Sequence, residues 1–234
     1  MSVARAIPRR QLAWRPSYRI VPSRFPPVGL FDRIASPEDL DALFELEGLT
    51  NPRLRQEAGD ISMVPPERRI SGPGTTPIMA AFTHTPPGGS RFSDGSWGVY
   101  YAARERDTAI AETVFHRENF LRHTREPAFV LQMRCYLADV SGRLHDLRGG
   151  WPELHDPDSY AASQATARRL HRAGSDGIAY DSVRHRGGQC VAVFYPDLVS
   201  PVVQGPHLHY HWDGERSSHF TVVAEVGSME ALKR

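Results

Sequence analysis

Two cysteines, Cys135 and Cys190, are all that the 234 residues contain, too few for the disulfide framework of a small secreted domain. Each lies in a strand-like apolar run, so both are expected to be reduced and to behave as small apolar side chains. Long apolar runs are missing as well: none approaches the roughly 20 residues needed to span a bilayer, and the N-terminal MSVARAIPRRQLAWRP lacks the apolar core of a signal peptide. The chain is therefore expected in the cytoplasm, without a membrane partner. An excess of one charge is also lacking. A formal net charge of +1 gives no overall pull toward nucleic acid or acidic lipid. The phosphate-cradling patterns G-x-x-x-x-G-K-[ST] and G-x-G-x-x-G do not occur, so a nucleotide site here is not built on either loop. There is no internal repeat and no low-complexity tract.

What is there suits one large domain, or one domain with an extension, with enough chain to bury a full core. Residues 1–16 are basic and interrupted by Pro8 and Pro16, which predicts a mobile arm. Arg5, Arg9, Arg10 and Arg15 are expected to be solvated there, and direct nucleic-acid binding is not expected. Tyr18 to Val21 is a short strand candidate, and Arg19 and Arg24 are candidates for a phosphate contact. Ser36-Pro37-Glu38-Asp39 predicts a helix start, with a hydroxyl cap, proline in the first turn and two acids at the positive end of the dipole, and Gly48 ends that helix. A Pro- and Gly-rich connection runs from Asn51 to Pro77, and Ile78 to Thr83 is expected as a strand.

The most informative stretch is GSRFSDGSWGVYYAARERDTAIAETVFH, from Gly89 to His116. Glycines, Asp94 and Ser96 predict turns, the β-formers Val99, Tyr100 and Tyr101 a strand, and Asp107 the cap of a helix through Leu121. Ile110, Val114 and Leu121 recur at helical spacing for a core stripe, and Glu112 lies between Ile110 and Val114 in sequence, where a carboxylate in so apolar a helix is expected to be partly desolvated. Further on, Ala128 to Tyr136 reads as a strand, Asp158 to Ala173 as a helix, and Ile178 to Tyr180 and Cys190 to Tyr195 as strands. Ser182 falls just past the first of that last pair, on a loop edge.

Ser90-Arg91-Phe92, Tyr101-Ala102-Ala103, Glu112-Thr113-Val114-Phe115-His116 and Ser182 in GIAYDSVR, followed by QCVAVFYP, occur in an order that resembles the RES domain. That family is the toxin half of a class of bacterial toxin–antitoxin pairs. The resemblance runs from about Tyr18 to Trp212, departs from the family in having Ser90 where glycine is common, and leaves extra chain between Phe25 and Thr85. It implies an α+β fold, with mixed and antiparallel sheets around a central cleft, similar to ADP-ribosyltransferases. The expected organisation is a 1–16 arm followed by a single RES domain over 17–234, with an extension at about 25–85.

The resemblance also implies an enzyme that breaks the nicotinamide–ribose bond of NAD and is neutralised by an Xre-type antitoxin. Glu112 would face the oxocarbenium-like ribose, Arg91 grip the pyrophosphate, Tyr101 stack on nicotinamide, and Ser182 offer a hydroxyl, with Arg24 and His116 further candidates at the NAD site. The ADP-ribose would pass to water or inorganic phosphate, the latter held by Arg184 and Arg186, with protein modification as the alternative. No metal cofactor is expected. A metal-dependent hydrolase remains the remote alternative, because His207, His209 and His211 alternate in PHLHYHWD and would share one face of a strand.

Overall fold

The computed structural model describes residues 6–23 and 59–223. The expected helix starting at Ser36, and Arg5 and Arg24, lie outside the described residues. Among the described residues the α-helices and strands follow one another as β1 Arg9–Pro22, α1 Thr76–Thr83, β2 Tyr100–Ala103, α2 Arg106–Thr124, β3 Phe129–Asp146, α3 Ala161–Arg172, β4 Gly177–Asp181, β5 Gln189–Val193, β6 Val203–Trp212 and β7 Ser217–Val223. The fold is α+β.

All seven of these strands form one mixed sheet in the order β1-β2-β5-β4-β3-β6-β7. β1 also pairs along β3, from Arg9 opposite His145 to Pro22 opposite Met133, so five strands close on themselves and β6 and β7 extend outward from β3. The β3–β4 pair is parallel; its neighbours are antiparallel. Alternation along the strands sends side chains to two cores. One gathers Ile20, Met133, Cys135, Ile178, Tyr180, Cys190 and Ala192 beneath α2 and α3. The other gathers Trp14, Tyr100, Ala138, Val140, Ala179, Val191 and Val193 against α1.

Three expectations are corrected. Residues 9–16 are no arm: they form the first half of β1, with Leu12 and Trp14 buried and Arg9, Arg10, Gln11, Ala13 and Arg15 exposed around them. Ile78–Thr83 is the body of α1, not a strand. Pro77 in its first turn would break a sheet ladder but costs a helix start nothing, and Ile78, Met79, Phe82 and Thr83 are buried at helical spacing. The cap of α2 is Glu105, and Asp107 is the second residue of the helix, where its charge still complements the helix dipole. Both cysteines are buried and free. No helix among the described residues is long and apolar enough to cross a membrane.

Gly98 fixes how α1 meets the stretch that follows it. A Cβ added there would fall on the backbone of Phe82, so only glycine lets the end of α1 lie against the chain entering β2.

Candidate active site

Glu112 projects from α2 toward the loop that leaves β4. Ser182 Oγ donates to Glu112 Oε1 at 2.6 Å. The same oxygen accepts the backbone N–H groups of Arg184 at 3.1 Å and His185 at 2.9 Å. With both of its acceptor positions taken by amides, the hydroxyl can send its single proton only to the carboxylate. The loop closes through Ser182 N–H to Gly188 O and Gly188 N–H to His185 O, each at 2.9 Å. His155 supports the end of β4: it accepts the Asp181 N–H at 3.2 Å on Nε2 and meets Trp151 O at 2.9 Å through Nδ1, which fixes the proton on Nδ1.

Arg91 stands in a tight turn between Ser90 and Ser93 and is only 7% exposed. Its Nη1 donates to Asp156 O at 2.8 Å and Leu154 O at 3.4 Å, and the guanidinium lies 4.6 Å over the ring of Tyr160. Part of the fork is thus spent on the carbonyls of Leu154 and Asp156, which ties the 90–93 turn to the Pro152–Leu154 turn. The turn is held from two sides. Gln164 of α3 donates to Ser90 O and Ser93 O, at 2.9 and 3.2 Å. Tyr101 places its hydroxyl 2.8 Å from Ser90 Oγ and takes the Phe92 N–H at 2.9 Å. Ser90, the departure from the family pattern, therefore has its own use. Burial pushes the Tyr101 phenol up to about 12, so it stays protonated in use.

His116, one turn beyond Glu112, makes no hydrogen bond to it; Ser182 does the orienting. Crowding of its ring first, and then the charges of Arg184, Arg117 and Arg91, push the His116 imidazole down to about 4, although more than a third of the residue remains open to solvent. Those same cations mark the region as electropositive. Arg184 folds back over the Phe115 ring, 3.3 Å from its centroid, and donates to Pro157 O, while Arg186 is exposed. Arg19 lies on the other side of β1 from Ile20, donating to Tyr101 O at 3.0 Å and lying over the Tyr100 ring. It faces the α1 core, on the opposite side of the sheet from Glu112.

Sequence reading missed the contacts that assemble this site. Thr108 Oγ1 lies 2.8 Å from His185 Nδ1, and Tyr160 supplies the aromatic surface under Arg91. Only the position of Thr108, one turn before Glu112, hinted at a shared face. The three alternating histidines do share a face of β6, opposite buried Leu208, Tyr210 and Trp212. His211 stacks on His219 of β7 with centroids 4.0 Å apart. Among the described residues, no three His, Cys, Asp or Glu side chains are grouped to hold a metal ion.

A family model for the RES domain matches residues 66–213. The chain belongs to the RES domain family. The match begins after β1, yet β1 completes the sheet on which the matched residues lie. The uncharacterized protein y4oC of Sinorhizobium fredii (strain NBRC 101917 / NGR234) is 32% identical over 211 residues, covering 90% of this chain and 89% of that protein. Among solved structures, a chain of the M. tuberculosis MbcT–MbcA toxin–antitoxin complex aligns over 92% of this chain and 86% of its own length, with 13% identity and a TM-score of 0.45. Arg91, Tyr101, Glu112 and Ser182, the candidates singled out from the sequence, all lie on the side of the sheet covered by α2 and α3.

Proposed function

We propose that this RES protein is the toxin of a toxin–antitoxin pair and acts in the cytoplasm by cleaving NAD at its nicotinamide–ribose bond, on a fold akin to ADP-ribosyltransferases. The observation that carries this is the Glu112 carboxylate, held in one orientation by the Ser182 hydroxyl at 2.6 Å. Such fixed charge is what an oxocarbenium-like ribose requires, because a preorganised carboxylate costs no reorganisation as positive charge develops. Glu112 Oε2 remains available to accept a ribose hydroxyl.

In the reaction the C–N bond breaks with its electron pair going to the pyridine nitrogen, so nicotinamide leaves neutral. The ribose carbon becomes electron-deficient opposite Glu112. Water or an oxygen of inorganic phosphate then adds to that carbon; a water loses a proton to solvent, giving ADP-ribose, and phosphate gives its phosphorylated form. Free nitrogens of Arg91 bind the pyrophosphate, where a planar guanidinium makes two parallel hydrogen bonds. Tyr101 serves first as the anchor of the Arg91 turn and offers its ring to the nicotinamide. Arg184, on the lip of the same loop as Ser182, suits either the pyrophosphate or an incoming phosphate.

Incubation of purified protein and cell extract with labelled NAD, with and without inorganic phosphate, tests this. Free nicotinamide with ADP-ribose or its phosphorylated form is expected. A labelled protein band without either small product would make the protein a mono-ADP-ribosyltransferase instead. An enzyme that drains NAD must be restrained in its host, so expression alone is expected to arrest growth. Co-expression of a cognate Xre-type antitoxin is expected to restore it, and growth unaffected by the active protein would contradict the toxin assignment.

A further inference from the structure

α2 grips the Ser182 loop twice, not once. Thr108 and Glu112 are four residues apart and therefore stand on one face of α2. Ser182 and His185 are the loop residues they meet, across 2.6 Å at Glu112 and 2.8 Å at Thr108. We propose that Thr108 and His185 form a latch that sets the Ser182–Glu112 hydrogen bond, which makes both of them positioning residues; this rests on Glu112 being the group that cleaves NAD.

The latch acts through the hydroxyl's one proton. Ser182 points it at Glu112 because the N–H groups of Arg184 and His185 occupy its lone pairs. If the His185 amide swings away, a lone pair is freed and the hydroxyl can rotate from the carboxylate. The latch holds that amide by pinning the ring of the same residue. Thr108 is fully buried, so it is a fixed post. Gly188 packs directly against it: an added Cβ would lie 2.5 Å from Thr108 Oγ1, 2.7 Å from its Cγ2 and 3.1 Å from His185 Nδ1. A bare backbone at 188 is thus what lets the loop come close enough for Thr108 and His185 to bond.

Thr108→Val keeps the side chain's shape and removes its hydroxyl, whereas Thr108→Ser keeps the hydroxyl and removes a methyl. The loss of one hydrogen bond that orients the reacting carboxylate is expected to lower kcat for NAD loss about tenfold in Thr108→Val, with KM within about twofold. Thr108→Ser is expected to stay within about twofold of wild type in both. His185→Phe, which breaks the latch from the loop side, is expected to match Thr108→Val. Amide hydrogen exchange at Arg184 and His185 supplies a readout independent of turnover: it is expected to speed up about tenfold in Thr108→Val and to be unchanged in Thr108→Ser. If wild type leaves NAD intact, NAD cleavage is the idea that fails, and exchange alone still decides the latch. Wild-type exchange in Thr108→Val, or Thr108→Ser behaving as badly as Thr108→Val, would overturn the latch.

Discussion

Ser182 gives its hydroxyl proton to Glu112 across 2.6 Å, joining the loop after β4 to the middle of α2. The bond links residues 70 apart in the chain, and it fixes the orientation of the carboxylate on α2.

Removing this hydroxyl strips Glu112 of its donor and leaves two amides without an acceptor. Ser182→Ala is expected to lower NAD cleavage about tenfold and stability by about 1 kcal/mol, since the site is only half-buried and water can replace part of the loss. Steady-state kinetics and a denaturant titration check the pair of effects. Full activity in the variant would show that Glu112 needs no orienting partner.

Arg91 has a second role besides ligand contact, since it ties the 90–93 turn to the carbonyls of Leu154 and Asp156. Lysine keeps the charge but cannot hold two carbonyls and a pyrophosphate in one plane. Arg91→Lys is expected to raise KM for NAD by about tenfold or more, by the value of a charge-assisted hydrogen bond. It should also relieve growth arrest. Unchanged KM would remove Arg91 from the substrate.

His116 offers a pH test whose sign follows from its depressed pKa. The folded protein holds the imidazole near 4 against 6.5 for the ordinary group, so between these values the unfolded chain binds more protons. The contribution is fully present above 6.5, and it weakens as pH falls toward 4. Because the residue stays substantially open to solvent, the change in stability is small, and an NMR titration is the better measurement. Its midpoint is expected well below the ordinary value. A midpoint at or above 6.5 would contradict the crowding and the arginine field around the ring.

Gly98 carries a stability prediction far from the chemistry. Gly98→Ala forces a methyl onto the Phe82 backbone, which must move, so a loss of about 3 kcal/mol is expected, with α1 displaced from β2. Thermal unfolding measures it directly. A variant as stable as wild type would mean that the two segments separate freely.

Much of the path from Ser90 to Leu121 was legible in the sequence because local chemistry and burial agree there: turn residues, then β-formers, then an apolar helical stripe. β4 and β5 were legible for the same reason. Ile78–Thr83 was not, since IMAAF satisfies a buried helix as well as a strand, and its packing partner Gly98 lies on a later segment. Residues 9–16 looked like a basic arm because their arginines dominate the composition; pairing with β3 turns those arginines outward and Leu12 and Trp14 inward. The catalytic candidates were legible through a family resemblance, but what holds them was not. Thr108, Gln164 and His185 are unremarkable in sequence, and their use arises only when the fold sets α2, α3 and the Ser182 loop side by side.

The proposed cleavage of NAD depends on the charge of Glu112. Glu112→Gln preserves the side chain's shape and can still accept the Ser182 proton, but it removes the negative charge opposite the ribose. Loss of such an electrostatic contact is expected to slow the reaction by roughly a hundredfold or more, equivalent to about 3 kcal/mol. The measurement is the rate of nicotinamide release from NAD by wild type and by a Glu112→Gln protein shown to be folded by circular dichroism. A near-complete loss of release in the folded variant is the predicted result; release at the wild-type rate would contradict the account.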